Sequence, residues 1–296
     1  MSAAADLAAR LEWGLLPAVP VPCRGREIDE AAQRGYARWM AERPVAGVAV
    51  WAHTGRGTHL TPEQRRLVLE TWREAMPDRI VVAGARDITM AIEARRGKAD
   101  ALLAFPTAQD PVGHHARLSR ELPVIAFYLY EAAGGVAYDD ATLEAILDLP
   151  GVVGIKVATL DSVMTYQRIA GLVARHPGKL LVTGEDRFLG YSIMAGAQAA
   201  LIGMGAALPD LQADLLRAAA SNDWARFVDL SARCDRLALA TFIPPMEGYV
   251  RRMLWAAAAD GGLPDDACDD PWGPELPPSE RAAVEEVVRD ARAARA

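Results

Sequence analysis

Short apolar runs alternate along the chain with longer stretches in which apolar residues recur every three or four positions. The runs fall at residues 16–22, 46–52, 80–83, 101–105, 124–129, 152–156, 180–183 and 200–203, spaced mostly by about 20 to 35 residues. Their near-continuous apolar character predicts strands buried on both faces, the mark of a parallel sheet covered by helices. The stretches between carry helix-start signals. Thr61 precedes Pro62 and Glu63, Asp139 and Asp140 open another stretch, and Asp161-Ser162 open a third directly after the sixth run. Eight strand–helix units predict an α/β chain closed into a (β/α)8 barrel. A doubly wound open sheet is the alternative, but it wants a Gly-rich turn after its first strand, and residues 22–27 do not provide one.

After residue 221 the strand pattern stops. Helices are predicted over 224–239, 246–259 and 278–295, separated by the turn around Pro244-Pro245 and by a Pro- and Asp-rich loop over 263–277. The expected organisation is a catalytic barrel over residues 1–221 and a C-terminal helical region over 222–296.

Composition narrows the function classes. The 296 residues are 51% hydrophobic, ample for a large core. A net charge of −7 without a basic patch argues against nucleic acid as a partner. No uncharged apolar stretch is long enough to span a bilayer, and the first residues lack the apolar core of a secretory signal, so no membrane association is expected. Cys23, Cys234 and Cys268 form no CxxC pair or disulfide framework, which fits a reducing, cytoplasmic setting. His114-His115 lacks ligand spacing and reads as part of a solvated helix, so no metal is expected.

Lys156 is the informative residue. The chain has three lysines, of which Lys98 and Lys179 read as surface loop residues, whereas Lys156 ends the sixth apolar run. Burial disfavours an ammonium and pushes the amine toward its neutral, nucleophilic form, which can attack a ketone and form a Schiff base. The structural reading is a lysine whose head snorkels past the strand end. Barrel active sites gather at the C-terminal ends of strands. That rule also selects His53, Thr54 and Gly55, the tyrosines Tyr128 and Tyr130, the Gly184-Glu185-Asp186 turn, and Gly203-Met204-Gly205.

These pieces together resemble the dihydrodipicolinate synthase/N-acetylneuraminate lyase family of class I aldolases. Gly154-Ile155-Lys156 with Thr159 is similar to that family's Schiff-base motif. Phe127-Tyr128 with Gly134-Gly135 resembles the strand carrying its catalytic tyrosine, Thr183-Gly184-Glu185-Asp186 its strand-seven turn, and Ala52-His53-Thr54-Gly55 its Gly-Thr/Ser-Thr/Ser-Gly-Glu segment. The resemblance runs from about residue 16 through the Pro-rich turn and the following helix. It implies a cofactor-free lyase in which Lys156 condenses with pyruvate or another 2-oxo acid and Tyr128 carries protons. It further implies that His53, Thr54 and Gly55 hold the carboxylate, with Gly184 and Met204 as further substrate contacts. The partners implied are a small-molecule 2-oxo acid and an aldehyde, and the assembly a homotetramer built as a dimer of dimers. Departures are visible: Arg56 replaces the Glu, His53 a hydroxyl residue, and Ala133 and Ala108 stand at the synthase's arginine and extra tyrosine. Retro-aldol cleavage or dehydration of a sugar-acid-derived substrate is therefore expected ahead of the synthase reaction. A catalytically silent, ligand-binding barrel is the reading from another class. Several roles stay open: Tyr130 in place of Tyr128, a helix-capping role for His53 or for Glu185 and Asp186, an ion pair for Arg56, and close packing for Gly203 to Gly205.

Overall fold

The computed structural model describes residues 2–160 and 162–293. Eight parallel strands form one sheet: β1 (Leu15–Pro17), β2 (Gly47–Val50), β3 (Ile80–Ala85), β4 (Ala101–Ala104), β5 (Val124–Leu129), β6 (Val152–Ala158), β7 (Leu180–Thr183) and β8 (Ala199–Ile202). From β2 to β8 each strand pairs with the next in sequence, and β8 pairs back onto β1. The seam between β1 and β2 is bridged by Ala18 opposite Ala49, with the Val19 N–H on the Ala49 carbonyl at 3.1 Å, and the barrel closes there. All eight expected strands are present, several of them shorter than the apolar runs that announced them.

Alternation along the strands divides the core. Leu16, Ala49, Val82, Leu103, Ile125, Phe127, Val153, Val182 and Leu201 fill the barrel interior. Val48, Val50, Val81, Leu102, Val124, Ala126, Tyr128 and Ile202 face the surrounding helices. That outer layer is α2 (Glu30–Ala41), α3 (Pro62–Ala75), α4 (Ile88–Arg96), α5 (Pro111–Leu118), α6 (Asp140–Leu147), α7 (Val163–Val173), α8 (Leu189–Met194) and α9 (Pro209–Ala220). Thr61 caps α3 in a full capping box with Gln64, and Asp139 caps α6. Ser162 caps α7; Asp161, the other expected start signal there, lies outside the described residues.

Two features had no sequence signal. The helix α1 (Ala3–Leu11) sends Leu7 and Leu11 into the interior cluster beside Ile80, Ala101 and Leu180, and so plugs the N-terminal end of the barrel. A short hairpin, Cys23–Arg24 with Glu27–Ile28, ties to the C-terminal loop through the Gly25 N–H on Asp269 at 2.7 Å.

The C-terminal region forms α10 (Trp224–Thr241), α11 (Tyr249–Ala259) and α12 (Pro278–Ala293). The last is expected to reach residue 295, and its final positions lie outside the described residues. The Pro-rich turn before α11 is organised by the fully buried Arg252. Its guanidinium reaches the carbonyls of Ile243 (2.7 Å) and Pro245 (3.1 Å) and pairs with Glu280 at 2.7 Å. A planar fork of donors suits this task. It fixes where α11 begins, and α11 begins with a site residue.

Candidate active site

Lys156 is buried and points into the barrel, which strict alternation would not allow. Val153 faces inward, so an unbroken strand would turn Lys156 outward. The pairing with β5 skips a residue: Val124 lies opposite Val152, and Ile125 opposite Gly154. This bulge re-aims the rest of the strand. Ile155 then faces the helices while Lys156 and Ala158 face inward. Gly154 is required there, because a Cβ would lie 2.0 Å from the Leu180 carbonyl oxygen.

At the C-terminal end of the barrel a small cavity of 30 Å³, room for roughly one or two waters, surrounds the Lys156 side chain. His53, Thr54, Phe127, Tyr130, Gly184, Glu185, Asp186, Gly203, Phe242 and Tyr249 are among its walls. A larger groove of 390 Å³ between α3 and α4 is bordered by Pro62, Glu63, Arg66, Glu70 and Arg96 and, among the described residues, has no lysine to form a Schiff base. Chemistry therefore points to the smaller cavity. Gly184 lets the wall approach the lysine: a Cβ there would meet Lys156 Cε at 2.7 Å.

Burial lowers the Lys156 pKa to about 8, and the nearby Asp186 and Glu185 hold it from falling further. Burial pushes Glu185 up to about 7, although its carboxylate accepts from the Thr159 N–H at 2.5 Å and hydroxyl at 2.8 Å. Burial likewise pushes Asp186 up to about 6; Oδ1 accepts from the Met204 N–H at 2.8 Å and the Tyr249 hydroxyl at 2.9 Å. Neither residue caps a helix. His53 is pushed down to about 4, by burial first and then by Arg56 and Lys156. A ring shifted this way favours the neutral form, which can hydrogen-bond without carrying a charge.

The expected site residues separate into two groups. Lys156, His53, Thr54 and Gly184 border one cavity. Tyr128 does not. It sits on the outward face of β5, between Phe127 and Leu129, which face inward, and it packs in the helix layer. Tyr130, one residue past the strand and the alternative left open above, does border the cavity. Burial, then Asp186, Glu247 and Glu185, push Tyr130 up to about 12. Gly55 packs against the Val19 carbonyl instead of lining the cavity. Met204 contributes its N–H to Asp186, while its side chain is buried in the outer layer.

Arg56 takes no part in the cavity; it forms a buried ion pair with Asp270 at 2.5 Å and donates to the Glu247 carbonyl at 3.2 Å. It pins the loop carrying His53 and Thr54 to the C-terminal region. His114 and His115 are buried on α5, not solvated, with His115 Nδ1 at 2.7 Å from the Pro111 carbonyl. Among the described residues no group of three His, Cys, Asp or Glu is placed to hold a metal. Two cavity residues, Phe242 and Tyr249, were not anticipated. Strand ends are the sequence signal for a barrel site, and these come from the turn after α10 and the start of α11.

No protein-family model matches the chain. A 4-hydroxy-tetrahydrodipicolinate synthase from Phenylobacterium zucineum is 30% identical over 248 residues, covering 77% of this chain and 82% of that one. Among solved structures, a sialic acid aldolase from Ruminococcus gnavus superposes with a TM-score of 0.83 at 17% identity, covering 96% of this chain and 99% of the other. A prophage protein of the dihydrodipicolinic acid synthase family from E. coli K12, in complex with pyruvate, superposes with a TM-score of 0.81 at 17% identity, covering 94% and 98%. At those identities the two structural likenesses speak for the barrel fold.

Proposed function

The chain belongs to the dihydrodipicolinate synthase/N-acetylneuraminate lyase family, and on that premise we propose that Lys156 is the amine of a class I Schiff-base lyase acting on a 2-oxo acid. The observation that carries the assignment is the buried Lys156 amine, re-aimed into the cavity by the β6 bulge and held close to neutrality. A lysine at about 8 keeps roughly one amine in ten unprotonated at pH 7, against fewer than about one in a thousand for an ordinary lysine. Pyruvate, the ligand of one structural neighbour, is the simplest 2-oxo acid for it to attack.

The substrate carboxylate is assigned to the His53–Gly55 turn. Among the described residues no arginine borders the cavity, Arg56 being committed to Asp270. The N–H of Thr54, which borders the cavity, donates to no acceptor among the described residues. Oriented amides and the Thr54 hydroxyl suit a carboxylate held without a cation. Glu185 and Asp186, which also border the cavity, favour a hydroxyl-bearing second moiety over an acidic one. That supports cleavage or dehydration of a 2-keto-3-deoxy sugar acid ahead of the synthase reaction, whose second substrate brings another carboxylate. Release of pyruvate from 2-keto-3-deoxy sugar acids, abolished in Lys156→Ala, is the expected result. Turnover confined to an acidic aldehyde would favour the synthase instead, and binding without turnover the silent barrel.

We also propose a homotetramer that works in the cytoplasm. Trp224 and Val228 on α10, Met194 on α8 and Met164 on α7 are exposed apolar residues that a neighbouring subunit would cover. No helix among the described residues is long and apolar enough to cross a membrane. Cys23, Cys234 and Cys268 are free and buried, and burial pushes Cys23 and Cys268 up to about 12, which fits inert thiols in a reducing compartment.

A further inference from the structure

We propose that the proton carrier of this site is Tyr249, working against Asp186, and that it takes the place of a hydroxyl that the strand beside Lys156 lacks. The inference rests on the Schiff-base reading of Lys156. Imine formation and any later bond cleavage need a group that gives and takes protons at the reacting atoms. The strand register sets Phe127 directly opposite Lys156, and Nζ lies 3.8 Å from the centre of its ring. A phenyl ring steadies an ammonium but has no proton to exchange. The tyrosine next to it, Tyr128, faces the helix layer.

Three hydroxyls border the cavity, those of Thr54, Tyr130 and Tyr249. Tyr249 alone among them donates to a carboxylate, Asp186 Oδ1 at 2.9 Å. The Met204 N–H at 2.8 Å holds the same oxygen in place. No described residue accepts the Tyr130 proton. Tyr249 and Thr54 flank one point of the wall: a Cβ on Gly203 would lie 2.6 Å from each hydroxyl oxygen. Tyr249 is buried, its ring packed edge-on against Phe242, and the Arg252 fork fixes the turn it follows. The phenol is therefore held in one orientation, its hydrogen toward Asp186.

That orientation gives a balanced relay. The Lys156 nitrogen forms a bond to the substrate C2 and loses a proton, while the C2 oxygen gains one and becomes the carbinolamine hydroxyl. This hydroxyl leaves as water when the Tyr249 proton is delivered to it, leaving the iminium; Tyr249 is refilled from a protonated Asp186. In the next step the phenol oxygen accepts a proton from the substrate, either from C3 or from the hydroxyl of a C–C bond being cleaved. Its own proton passes to Asp186. The electron pair left behind neutralises the iminium as an enamine. The pair Tyr249–Asp186 gains one proton for each one the substrate loses, and no redox change occurs.

The test uses the full-length protein with pyruvate, and with 2-oxobutyrate in parallel. Hydrogen–deuterium exchange at C3 is followed by NMR, and the Lys156 imine is trapped with borohydride at long incubation and weighed by intact mass. Tyr249→Phe and Asp186→Asn are expected to keep the trapped adduct, which shows a folded and binding site, but to lose exchange by about 100-fold or more. Tyr130→Phe, which removes the other tyrosine hydroxyl of the cavity, is expected to lose less exchange than either variant. Exchange retained in Tyr249→Phe, or lost in Tyr130→Phe instead, overturns the relay. A wild-type protein that forms no adduct with either acid fells the Schiff-base reading, and the relay with it.

Discussion

At the residue scale four groups share one small volume: Lys156, Glu185, Asp186 and Tyr249. Their charges are coupled, and the signs can be followed. Lys156 is depressed from 10.5 to about 8, so the fold bears the cost of a buried ammonium below about pH 8 and is relieved of it as pH rises toward 10.5. Glu185 is raised from 4.5 to about 7, so its stabilising contribution is fully present below 4.5 and is lost as pH rises through 7. The rate of imine formation should rise with pH around a midpoint near 8. In Glu185→Gln one carboxylate that favours the ammonium is gone, so that midpoint should move to lower pH. Stopped-flow or quenched trapping across pH 5.5–10 reads both; a midpoint left near 10.5, or one that rises in the variant, contradicts the electrostatics. The lysine was legible in the sequence because a charge ending an apolar run is conspicuous. That Tyr128 faces the helices was not legible, since a run as uniformly apolar as Val124 to Leu129 does not reveal which alternate residues face inward.

At the scale of elements, the eight strands and the outer helices could be read because near-continuous apolar runs and capping residues such as Thr61 and Asp139 are local signals. What could not be read depends on distant partners. The plug helix α1 is only a short Ala- and Leu-containing stretch until Ile80 and Leu180 are beside it. The β6 bulge is invisible without its neighbour strands, although Gly154 marks where it falls. Gly154→Ala sets a methyl against the Leu180 carbonyl, so β6 must move off β7 or the bulge must shift. Overpacking of this kind costs about 1–3 kcal/mol, which lowers the melting temperature by roughly 2–4 °C per kcal/mol in a chain of this size. Because the bulge aims Lys156, imine trapping should fall by more than the loss of folded protein accounts for. Calorimetry with trapping on the same sample checks both, and unchanged trapping with unchanged stability would mean the bulge does not aim the lysine.

At the scale of the molecule, the barrel and the C-terminal helices form one working unit. The division at residue 221 marks where the strand pattern ends; beyond it, Phe242 and Tyr249 border the Lys156 cavity, and Arg56–Asp270 pins the His53 loop to the C-terminal region. The sequence boundary was legible from the end of the strand rhythm, while the functional dependence of one region on the other was not. Light scattering should give a mass near four times that of the 31.8 kDa chain. Charged substitutions at Trp224 and Val228 should reduce that mass, and a monomeric wild type would refute the tetramer. The central claim is tested most directly by borohydride reduction in the presence of pyruvate, followed by intact mass and peptide mapping. One reduced adduct on the peptide containing Lys156, absent in Lys156→Ala, is the predicted result. A folded protein that yields no adduct with pyruvate or any longer 2-oxo acid would contradict it.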